Sequence, residues 1–480
     1  MKLRNYQENF KKDLIEFIDN SRNKKGLGVS PVGTGKSLYP SIISEYVNEP
    51  CLVLQPSSEL LKQNVEKAHI FGIETSIFSA SLKKKEIGKI TYATHKSVIN
   101  HPSLFKDFKY VVIDEAHMHL TNKLKNGKVV DEGRLVDFLN YINPNKIIGL
   151  TATPVQLTRN SIDTQLKMLN RSKSSYWCFA DMISTLQIGD IKDEWWSNVD
   201  YRVVEKESNL LVLNTSKTDF TQESLEEDYE ENNLQEKILQ QYEQLKSEGK
   251  KSILIFVPSI KFGENLQKLN RNIQSISANT PSDKRDFLIE SFKKGEIDCL
   301  VNTGILTTGF DHPELDAIIM ARETNSFVLY YQIVGRLVRL LKDLSKTDGV
   351  FVDLTNTYKR FGKVDDITFE KQDYTKGWAM WNSDNLMTGV YLNSGEIVTR
   401  EEQINSVEKQ KNMSTKAKSN VGGMQFHFGK YKYKTVRTVC QKDMRYIQWL
   451  LNNEDFVWKG EKMMLLLEDI RNTVEELRIN

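Results

Sequence analysis

The sequence lacks the features that mark membrane, secreted and zinc-ribbon proteins. Its 480 residues contain no run of about 18 apolar residues, so we expect no membrane-spanning helix. Residues 1–14 show no apolar stretch after their basic residues, so no signal peptide is expected. The cysteines are far apart and form no C-x-x-C pair, which argues against a disulfide framework and favours a reducing cytosol. They are Cys51, Cys178, Cys299 and Cys440.

Net charge is also nearly absent, with 66 Lys and Arg against 64 Asp and Glu and a formal charge of +2. Taken alone, this balance argues against a nucleic-acid partner, but a whole-chain sum can hide opposed regions. Residues 218–236 hold eight acids and no Lys or Arg, which is typical of a solvated helix face or an exposed linker. Residues 411–445 hold nine Lys or Arg against one acid, a formal charge of +8, which leaves −6 for the rest of the chain.

Short apolar strands alternate with helical stretches in two parts of the chain. This alternation predicts parallel sheets covered on both faces, so the predicted fold class is α/β with two such units. The predicted strands are residues 51–55, 110–115, 146–153, 252–258, 298–303, 317–322 and 349–354. The predicted organisation is a first unit at 1–160, a connecting region at 161–234, a second unit at 235–360, an irregular extension and linker at 361–423, and a small C-terminal α+β module at 424–480.

A glycine-rich loop occupies residues 30–37, Ser-Pro-Val-Gly-Thr-Gly-Lys-Ser, between a predicted strand and a predicted helix. It follows the phosphate-binding pattern G-x-x-x-x-G-K-[ST] except at Ser30, where the pattern has glycine. Lys36 would place its ammonium on the β- and γ-phosphates, and the Ser37 hydroxyl would ligate Mg²⁺. The loop residues whose backbone would surround the phosphate oxygens are Gly33, Thr34 and Gly35.

The apolar strand predicted at residues 110–115 ends in two carboxylates. Asp114 is placed to hold Mg²⁺ through water, and Glu115 to orient and deprotonate an attacking water, as phosphoryl transfer requires. A capped turn would give the same local pattern, but the phosphate loop earlier in the chain favours the catalytic interpretation. His117 and His119 make a weak zinc case because no further ligands accompany them.

The second unit offers an amide and two guanidiniums in a regular pattern. Gln332, Arg336 and Arg339 are spaced i, i+4 and i+7, which would place them on one face of a helix. Such a face among apolar residues suits arginine fingers that reach an ATP bound by the first unit, and a solvated basic face is the alternative. The Thr- and Gly-rich loop at 302–313 suits either phosphate contact or a tight turn.

In their order and spacing, these motifs resemble those of superfamily 2 helicases of the DEAH type over residues 3–355. The phosphate loop matches motif I, residues 114–117 match motif II and residues 332–339 match motif VI. The resemblance implies two tandem RecA-like domains with ATP and Mg²⁺ in the cleft between them. It also implies nucleic acid as the partner, DNA rather than RNA, together with repair or recombination proteins.

The resemblance assigns further residues to the nucleotide, to the nucleic-acid strand and to the coupling between them. Motif Q implies nucleotide contacts by Arg4 and Gln7, and motif III implies that Thr151 and Thr153 couple the ATP state to strand binding, with His117 beside them. Motifs Ia, Ib, IV and V imply strand contacts by Pro56, Ser57, Thr94, His95, Pro258, Ser259, Thr303 and Thr307. Motif V also implies nucleotide contacts by Gly309 and Asp311.

The amino-acid sequence of residues 78–98 and 300–336 is most similar to that of RadD-type DNA-repair helicases. The chain also resembles phage branch-migration helicases of superfamily 2. The cysteine-rich zinc segment of RadD-like proteins has no counterpart in this sequence, so its zinc role is not carried over. Residues 426–451 resemble the FGKYKGK module of exonuclease X-type proteins, with Tyr433 in place of a glycine. Basic residues between aromatics suit a surface that tracks a backbone and stacks bases, and a small core with lysines in solvent is the alternative. The residues expected to bind there are Lys430, Tyr431, Lys432 and Lys434.

The predicted activity is that of an ATP-dependent helicase or translocase that acts on DNA in repair, recombination or replication. Three other functions stay open: a translocase subunit of a restriction or nuclease system that does not separate strands, an RNA helicase, and a non-enzymatic module gated by ATP. The last predicts tight ATP binding without stimulated turnover, and Glu115, Arg336 and Arg339 argue against it.

Overall fold

A computed structural model of the chain describes residues 3–118, 120–125, 128–131, 133–159, 164–207, 209–305, 312–340, 346–372, 377–392, 397–403, 423–452 and 461–479. Of the residues singled out above, His119, Thr307, Gly309 and Asp311 lie outside these ranges. The chain divides into two compact units, Met1–Ile397 and Val398–Asn480.

The first parallel sheet carries the phosphate loop. Strands up to residue 185 are β1 (Lys25–Val29), β2 (Cys51–Gln55), β3 (Ser76–Ser79), β4 (Lys84–Lys85), β5 (Ile90–Thr94), β6 (Tyr110–Asp114), β7 (Lys123–Lys125), β8 (Lys128–Asp131), β9 (Lys146–Thr151), β10 (Val155–Arg159), β11 (Thr164–Met168) and β12 (Asp181–Thr185). Helices in this part are α1 (Asn5–Asn20), α2 (Tyr39–Val47), α3 (Ser58–Ile70), α4 (His95–Ile99) and α5 (Arg134–Ile142). Eight strands form one sheet in the order β12-β1-β9-β6-β2-β5-β3-β4, with every neighbouring pair parallel except β3–β4.

Alternate residues of these strands face opposite sides of the sheet, and both sides are covered. In β2, Leu52 and Leu54 pack in a cluster with α5, whereas Val53 packs in a second cluster with α1, α2 and α3. All three side chains are fully buried. This two-sided burial explains the uninterrupted apolar runs. The strand predicted at 51–55 is confirmed, and those predicted at 110–115 and 146–153 are confirmed with ends at Asp114 and Thr151.

The second parallel sheet lies in the later half of the same unit. Its strands are β13 (Asn198–Val203), β14 (Ile253–Phe256), β15 (Ile273–Ser277), β16 (Cys299–Thr303), β17 (Ala317–Met320) and β18 (Asp348–Asp353). The helices from residue 192 onward are α6 (Lys192–Trp195), α7 (Gln222–Glu231), α8 (Leu234–Ser247), α9 (Ile260–Leu269), α10 (Ser282–Lys293), α11 (Phe327–Val334) and α12 (Thr357–Phe361). The order is β13-β18-β17-β14-β16-β15, and every neighbouring pair is parallel.

The connecting region contributes a strand to each sheet, because β12 pairs with β1 and β13 pairs with β18. Its acidic stretch is folded as α7 and the start of α8. Asp228 is buried there and accepts hydrogen bonds from Lys206, whose ammonium also lies 2.7 Å from Glu323. The solvated-face interpretation therefore holds for Glu223 and Glu227, which are exposed, but it is wrong for Asp228.

The extension after residue 360 contains an antiparallel sheet, where its weak periodicity predicts irregular chain. Its strands are β19 (Ile367–Lys371), β20 (Trp378–Asn382) and β21 (Asn385–Leu386). The chain that follows β21 forms bridges with the β10–β11 hairpin, at Leu166–Thr388 and Gln165–Tyr391. The extension therefore packs on the hairpin that leaves the first sheet after β9.

The C-terminal unit, Val398–Asn480, has a small core of its own. Its described helices are α13 (Val436–Lys442), α14 (Met444–Asn452) and α15 (Glu461–Ile479), and an antiparallel bridge joins Gln425 to Thr435. The core side chains come from all three helices and from the segment before them: Phe426, Val436, Val439, Cys440, Ile447, Leu450, Leu466, Ile470 and Val474. None of the described helices has the length and apolar character needed to cross a membrane.

Candidate functional site

The phosphate loop joins β1 to α2 and is braced by its own side chains. Gly33 and Gly35 have φ values of +79° and +83°, in the left-handed region that glycine reaches without strain. Thr34 Oγ1 donates to the Pro31 carbonyl at 2.6 Å and lies 2.6 Å from Ser30 Oγ. The serine that departs from the glycine pattern at position 30 is therefore part of this brace.

Lys36 contacts both carboxylates at the end of β6. Its ammonium donates to Glu115 Oε1 at 2.6 Å and lies 3.2 Å from Asp114 Oδ1. Burial disfavours the charged lysine, but the two carboxylates outweigh it and raise the pKa of Lys36 above its usual value. Asn64 Nδ2 fixes Asp114 by donating to its Oδ2 at 3.1 Å. The loop and the carboxylates meet because β1 and β6 flank β9 and are parallel.

Glu115 is held in an unusual backbone conformation and contacts the predicted coupling residues. Its φ of +49° is uncommon for residues other than glycine and asparagine, and such strain is frequent at active sites. Glu115 Oε2 lies 3.5 Å from His117 Nδ1. The same nitrogen lies 2.9 Å from Thr151 Oγ1 and 3.3 Å from Thr153 Oγ1. The end of β6 is thus connected through His117 to the end of β9.

The helix that carries motif VI is shorter than the spacing of its polar residues predicts. Because α11 ends at Val334, Gln332 lies on it while Arg336 and Arg339 follow it, and the prediction that the three share one helical face is wrong. The chain leaves the helix because Arg339 pairs with Trp196 in an antiparallel bridge.

The glycine after α11, Gly335, lets the domain built on the second parallel sheet approach the phosphate loop closely. This domain is called the second domain below. A Cβ at Gly335 would overlap Val32 of the loop. Arg339 also reaches the loop, since its Cγ lies 3.8 Å from the position of a Cβ on Gly33. Burial lowers the pKa of Arg336 to about 10, against the opposing charge of Glu115, and burial lowers the pKa of Arg339 to about 10. Both guanidiniums therefore stay charged at neutral pH beside the loop.

Two adjacent tryptophans of the connecting region reach the nucleotide motifs, and the sequence reasoning missed them. Trp196 Nε1 donates to the Val32 carbonyl at 3.1 Å. The Arg4 guanidinium stacks on Trp195, with its central carbon 3.6 Å from the ring centroid. The only local signal was the Trp-Trp pair itself, which is unusual in an otherwise polar segment.

The predicted Q-motif residue faces the phosphate loop. Gln7 is buried, its Nε2 donates to the Thr34 carbonyl at 2.9 Å, and its Oε1 accepts from the Arg4 backbone N–H at 3.0 Å. Tyr6 donates to the same Thr34 carbonyl at 3.2 Å. Two side chains at the start of α1 therefore fix the helix to the loop through one carbonyl.

The residues predicted to contact the nucleic-acid strand follow the carboxyl ends of neighbouring β-strands in each sheet. Pro56 and Ser57 follow β2, next to Thr94 and His95 at the end of β5. Pro258 and Ser259 follow β14, next to Thr303 at the end of β16, whose Oγ1 donates to the Ser259 carbonyl at 3.4 Å. Among these, Thr94 and His95 are buried, while Pro56, Ser57, Ser259 and Thr303 are half-buried.

The four binding residues predicted in the C-terminal unit fall into two pairs. Lys430 Nζ lies 2.7 Å from Asp443 Oδ2, and the Tyr431 hydroxyl donates to the same oxygen at 2.9 Å. The hydrogen bond from Lys430 is the main cause that holds the pKa of Asp443 at about 2. Lys432 and Lys434 are exposed. Lys430 is exposed as well, but Asp443 already engages its ammonium.

The groups around the loop fit a magnesium triphosphate. The Ser37 hydroxyl and the Asp114 carboxylate are hard oxygen ligands of the kind that Mg²⁺ prefers. Ser37 Oγ accepts a hydrogen bond from Lys67 Nζ at 3.1 Å. Burial, together with the charge of Arg339, lowers the pKa of Lys67, while Asp114 opposes the shift. Lys36, Lys67 and Arg339 all bring positive charge to the loop, which suits a polyphosphate.

Two parallel-sheet domains that share one phosphate-loop site define a tandem RecA-like ATPase. Residues 1–156 match the family described as type III restriction enzyme, res subunit, residues 234–340 match the helicase conserved C-terminal domain, and residues 426–455 match the exodeoxyribonuclease X-like C-terminal family. The chain belongs to superfamily 2 of helicases and translocases. The predicted resemblance is therefore confirmed at the level of the superfamily, and its RadD-type subdivision stays a prediction.

Individual relatives agree with this assignment. The Saccharomyces cerevisiae protein IRC3, named as an ATP-dependent helicase, is 27% identical over 370 residues, 70% of this chain and 49% of that protein. This chain thus spans about half the length of that relative. The ATP-dependent Type ISP restriction-modification enzyme LlaBIII bound to DNA matches 74% of this chain and 27% of its own, with a TM-score of 0.54 and 16% identity. S. cerevisiae Dbp5 bound to RNA and ADP BeF3 matches 76% of this chain and 88% of its own, with a TM-score of 0.50 and 16% identity. These two structures share the fold.

Proposed function

We propose that this chain is a nucleic-acid-stimulated ATPase that uses Mg-ATP to move along DNA and separate its strands. The observation that carries the proposal is the division of the site: Lys36, Asp114 and Glu115 belong to the first sheet domain, whereas Arg336 and Arg339 belong to the second. A site divided in this way is complete only while the domains are together. Hydrolysis would therefore be linked to opening and closing of the cleft.

Each catalytic group has a role that its position supports. Lys36 neutralises charge on the β- and γ-phosphates, and the loop backbone donates N–H groups to their oxygens. Mg²⁺, held by Ser37 and through water by Asp114, would neutralise further phosphate charge. Glu115 orients the attacking water and accepts its proton. The two arginines stabilise charge in the transition state, a contribution of about 10³–10⁵ in rate for such groups.

The base of the nucleotide is assigned to the start of α1. Gln7 lies against the loop there, Arg4 contacts Gln7, and Trp195 adds an aromatic face beside Arg4. A Gln amide and an aromatic face are suited to a planar base with hydrogen-bonding edges. Gly309 and Asp311 complete the proposed nucleotide contacts by resemblance alone.

Movement along the strand is assigned to the carboxyl edges of the two sheets. Pro56 and Ser57 stand at the edge of the first sheet, and Ser259 and Thr303 stand at the edge of the second. If each pair contacts the backbone of the nucleic acid, closing the cleft moves the contact of the first domain relative to that of the second. His117 supplies a link to this motion because it contacts both Glu115 and the end of β9.

DNA is proposed as the substrate because the family resemblance favours it and the matched restriction enzyme is described as bound to DNA. The matched Dbp5 structure is described as bound to RNA, so the choice calls for a direct comparison. ATP turnover should be measured with single-stranded, forked and four-way DNA and with RNA of the same sequence. We expect DNA to stimulate more than RNA. The reverse order would overturn the DNA assignment, and no stimulation by any ligand would overturn the proposed activity.

A double-strand translocase without strand separation is the second candidate. It is favoured by the match of residues 1–156 to a restriction-enzyme subunit family. Release of a labelled strand from a forked duplex should be measured beside displacement of a third strand from a blunt duplex. We expect both, and displacement of the third strand alone would favour the restriction-type motor.

The C-terminal unit is assigned to capture of the nucleic-acid backbone. Lys432 and Lys434 are exposed, and the Lys432 ammonium lies 5.0 Å from the centroid of Tyr433, a ring that is 67% exposed. Exposed lysines beside an exposed ring suit backbone tracking with base stacking. Lys430 and Tyr431 have a smaller share in this role, because Asp443 already engages both. Repair or recombination proteins are proposed as partners on the family resemblance alone. A cytoplasmic location is proposed because the widely spaced cysteines favour a reducing compartment.

A further inference from the structure

Lys67 is a cation of the nucleotide site that none of the sequence motifs assigns. It lies near the end of α3, and its ammonium donates to the Ser37 hydroxyl at 3.1 Å. Ser37 directly follows Lys36 at the end of the phosphate loop. A lysine from a separate helix therefore reaches the part of the loop that would face the outer phosphates.

The charges around Lys67 favour an anionic ligand. Arg339 is near enough to repel the Lys67 ammonium, and Asp114 is near enough to attract it. Lys36 already contacts Asp114 and Glu115, whereas the Lys67 ammonium, within the described ranges, bonds only to the neutral Ser37 hydroxyl. A half-buried ammonium such as that of Lys67 is costly unless a counter-charge compensates it. A magnesium triphosphate is net negative and would supply it.

A purely structural role explains the position of Lys67 less well. No ion pair joins Lys67 to a carboxylate within the part of the chain that the structure describes, and its hydrogen bond goes to a neutral hydroxyl. Its stem could cover apolar surface equally well with the ammonium turned to solvent. The ammonium instead points to the loop, near enough to Arg339 to be repelled by it. This arrangement stabilises the protein little by itself and serves a bound anion.

We propose that Lys67 contacts the terminal phosphate of ATP and makes the site favour a nucleoside triphosphate over a diphosphate. The inference rests on the proposed function of the site. Because Ser37 is the proposed magnesium ligand, Lys67 would exchange that hydroxyl for phosphate oxygens when the metal is bound. The flexible four-carbon stem of lysine permits such a change.

The test is equilibrium binding of two nucleotides, in the presence of Mg²⁺, to the full chain. The probes are ADP and a non-hydrolysable ATP analogue, so the readout doesn't depend on turnover. A hydrogen bond to a charged group stabilises by about 1.5–3 kcal/mol, so Lys67→Met should weaken the triphosphate analogue about 10- to 150-fold. ADP affinity should stay nearly unchanged. Lys62→Met is the matched control, since Lys62 is exposed on the same helix.

Lys67→Gln is the second variant, because it removes the charge while keeping a polar group for Ser37. It should show the same selective loss. If both variants keep the wild-type ratio of the affinity for the triphosphate analogue to the affinity for ADP, the role proposed for Lys67 is overturned. An equal loss of affinity for both nucleotides is one such result. Lys36→Ala separates this failure from failure of the site itself: it should weaken both nucleotides. A wild-type chain that binds neither would overturn both the Lys67 role and the proposed function.

Discussion

Gly335 determines how closely the second domain can approach the phosphate loop, and replacing it with alanine should separate them. The added methyl group would overlap Val32 of the loop and lie 2.9 Å from the Tyr331 carbonyl oxygen. The Val32 side chain is short and branched, with few rotamers, and the carbonyl belongs to the backbone of α11, so relief of both contacts requires a shift of the backbone. Overpacking of this kind costs about 1–3 kcal/mol. Since about 1.4 kcal/mol changes an equilibrium tenfold, closure of the domains should weaken about 5- to 150-fold.

The assay is nucleic-acid-stimulated ATP turnover, with nucleotide binding and thermal unfolding measured alongside. We expect Gly335→Ala to lower kcat by up to the factor by which closure weakens, while the loop still binds nucleotide. Gly189→Ala is the matched control, because nothing lies within 4 Å of a Cβ at that position. Wild-type kcat in Gly335→Ala, with an unchanged unfolding midpoint, would refute the close approach of the two domains.

Three further predictions concern other parts of the chain. Trp196→Phe removes the hydrogen bond to the Val32 carbonyl, worth about 1 kcal/mol, so kcat should fall about fivefold; an unchanged kcat at saturating nucleic acid would contradict this. Lys206→Met leaves Asp228 without its buried cation and should lower the free energy of unfolding in urea by about 3–5 kcal/mol, whereas a loss below about 1 kcal/mol would show that the pair contributes little. Deleting residues 411–480 should weaken DNA binding and flatten its dependence on salt, and an unchanged salt slope would count against capture by the C-terminal unit.

Much of the fold could be predicted because strands buried on both faces give uninterrupted apolar runs. Such runs at β2 and β14 are visible in a short window of sequence, and parallel pairing follows from the helices between them. The strands β19 and β20 were missed because their burial depends on the β10–β11 hairpin, which lies far earlier in the chain. Asp228 was misread for a similar reason, since its partner Lys206 lies outside the acidic stretch.

The candidate site was predictable where its residues are contiguous. Lys36, Asp114 and Glu115 lie in two short motifs, and the structure brings them into contact. The prediction that Arg336 lies on a helical face with Gln332 and Arg339 is wrong. Close packing of Gly335 against the loop and the bridge between Arg339 and Trp196 override the i, i+4, i+7 pattern. Lys67 gave no local signal at all, because its contact with Ser37 spans 30 residues and depends on how α3 packs.

The replacement of Glu115 by glutamine tests the central claim most directly. Glu115→Gln keeps the size of the side chain but can't accept a proton from water, and general-base groups contribute about 10²–10⁴ in rate. Turnover should be measured for the wild-type chain and for Glu115→Gln with stimulating DNA, with nucleotide binding as the control for folding. We predict stimulated hydrolysis by the wild type and a loss of about 10²–10⁴-fold in the variant, with nucleotide binding retained. Near wild-type turnover in Glu115→Gln would contradict the assignment of the site.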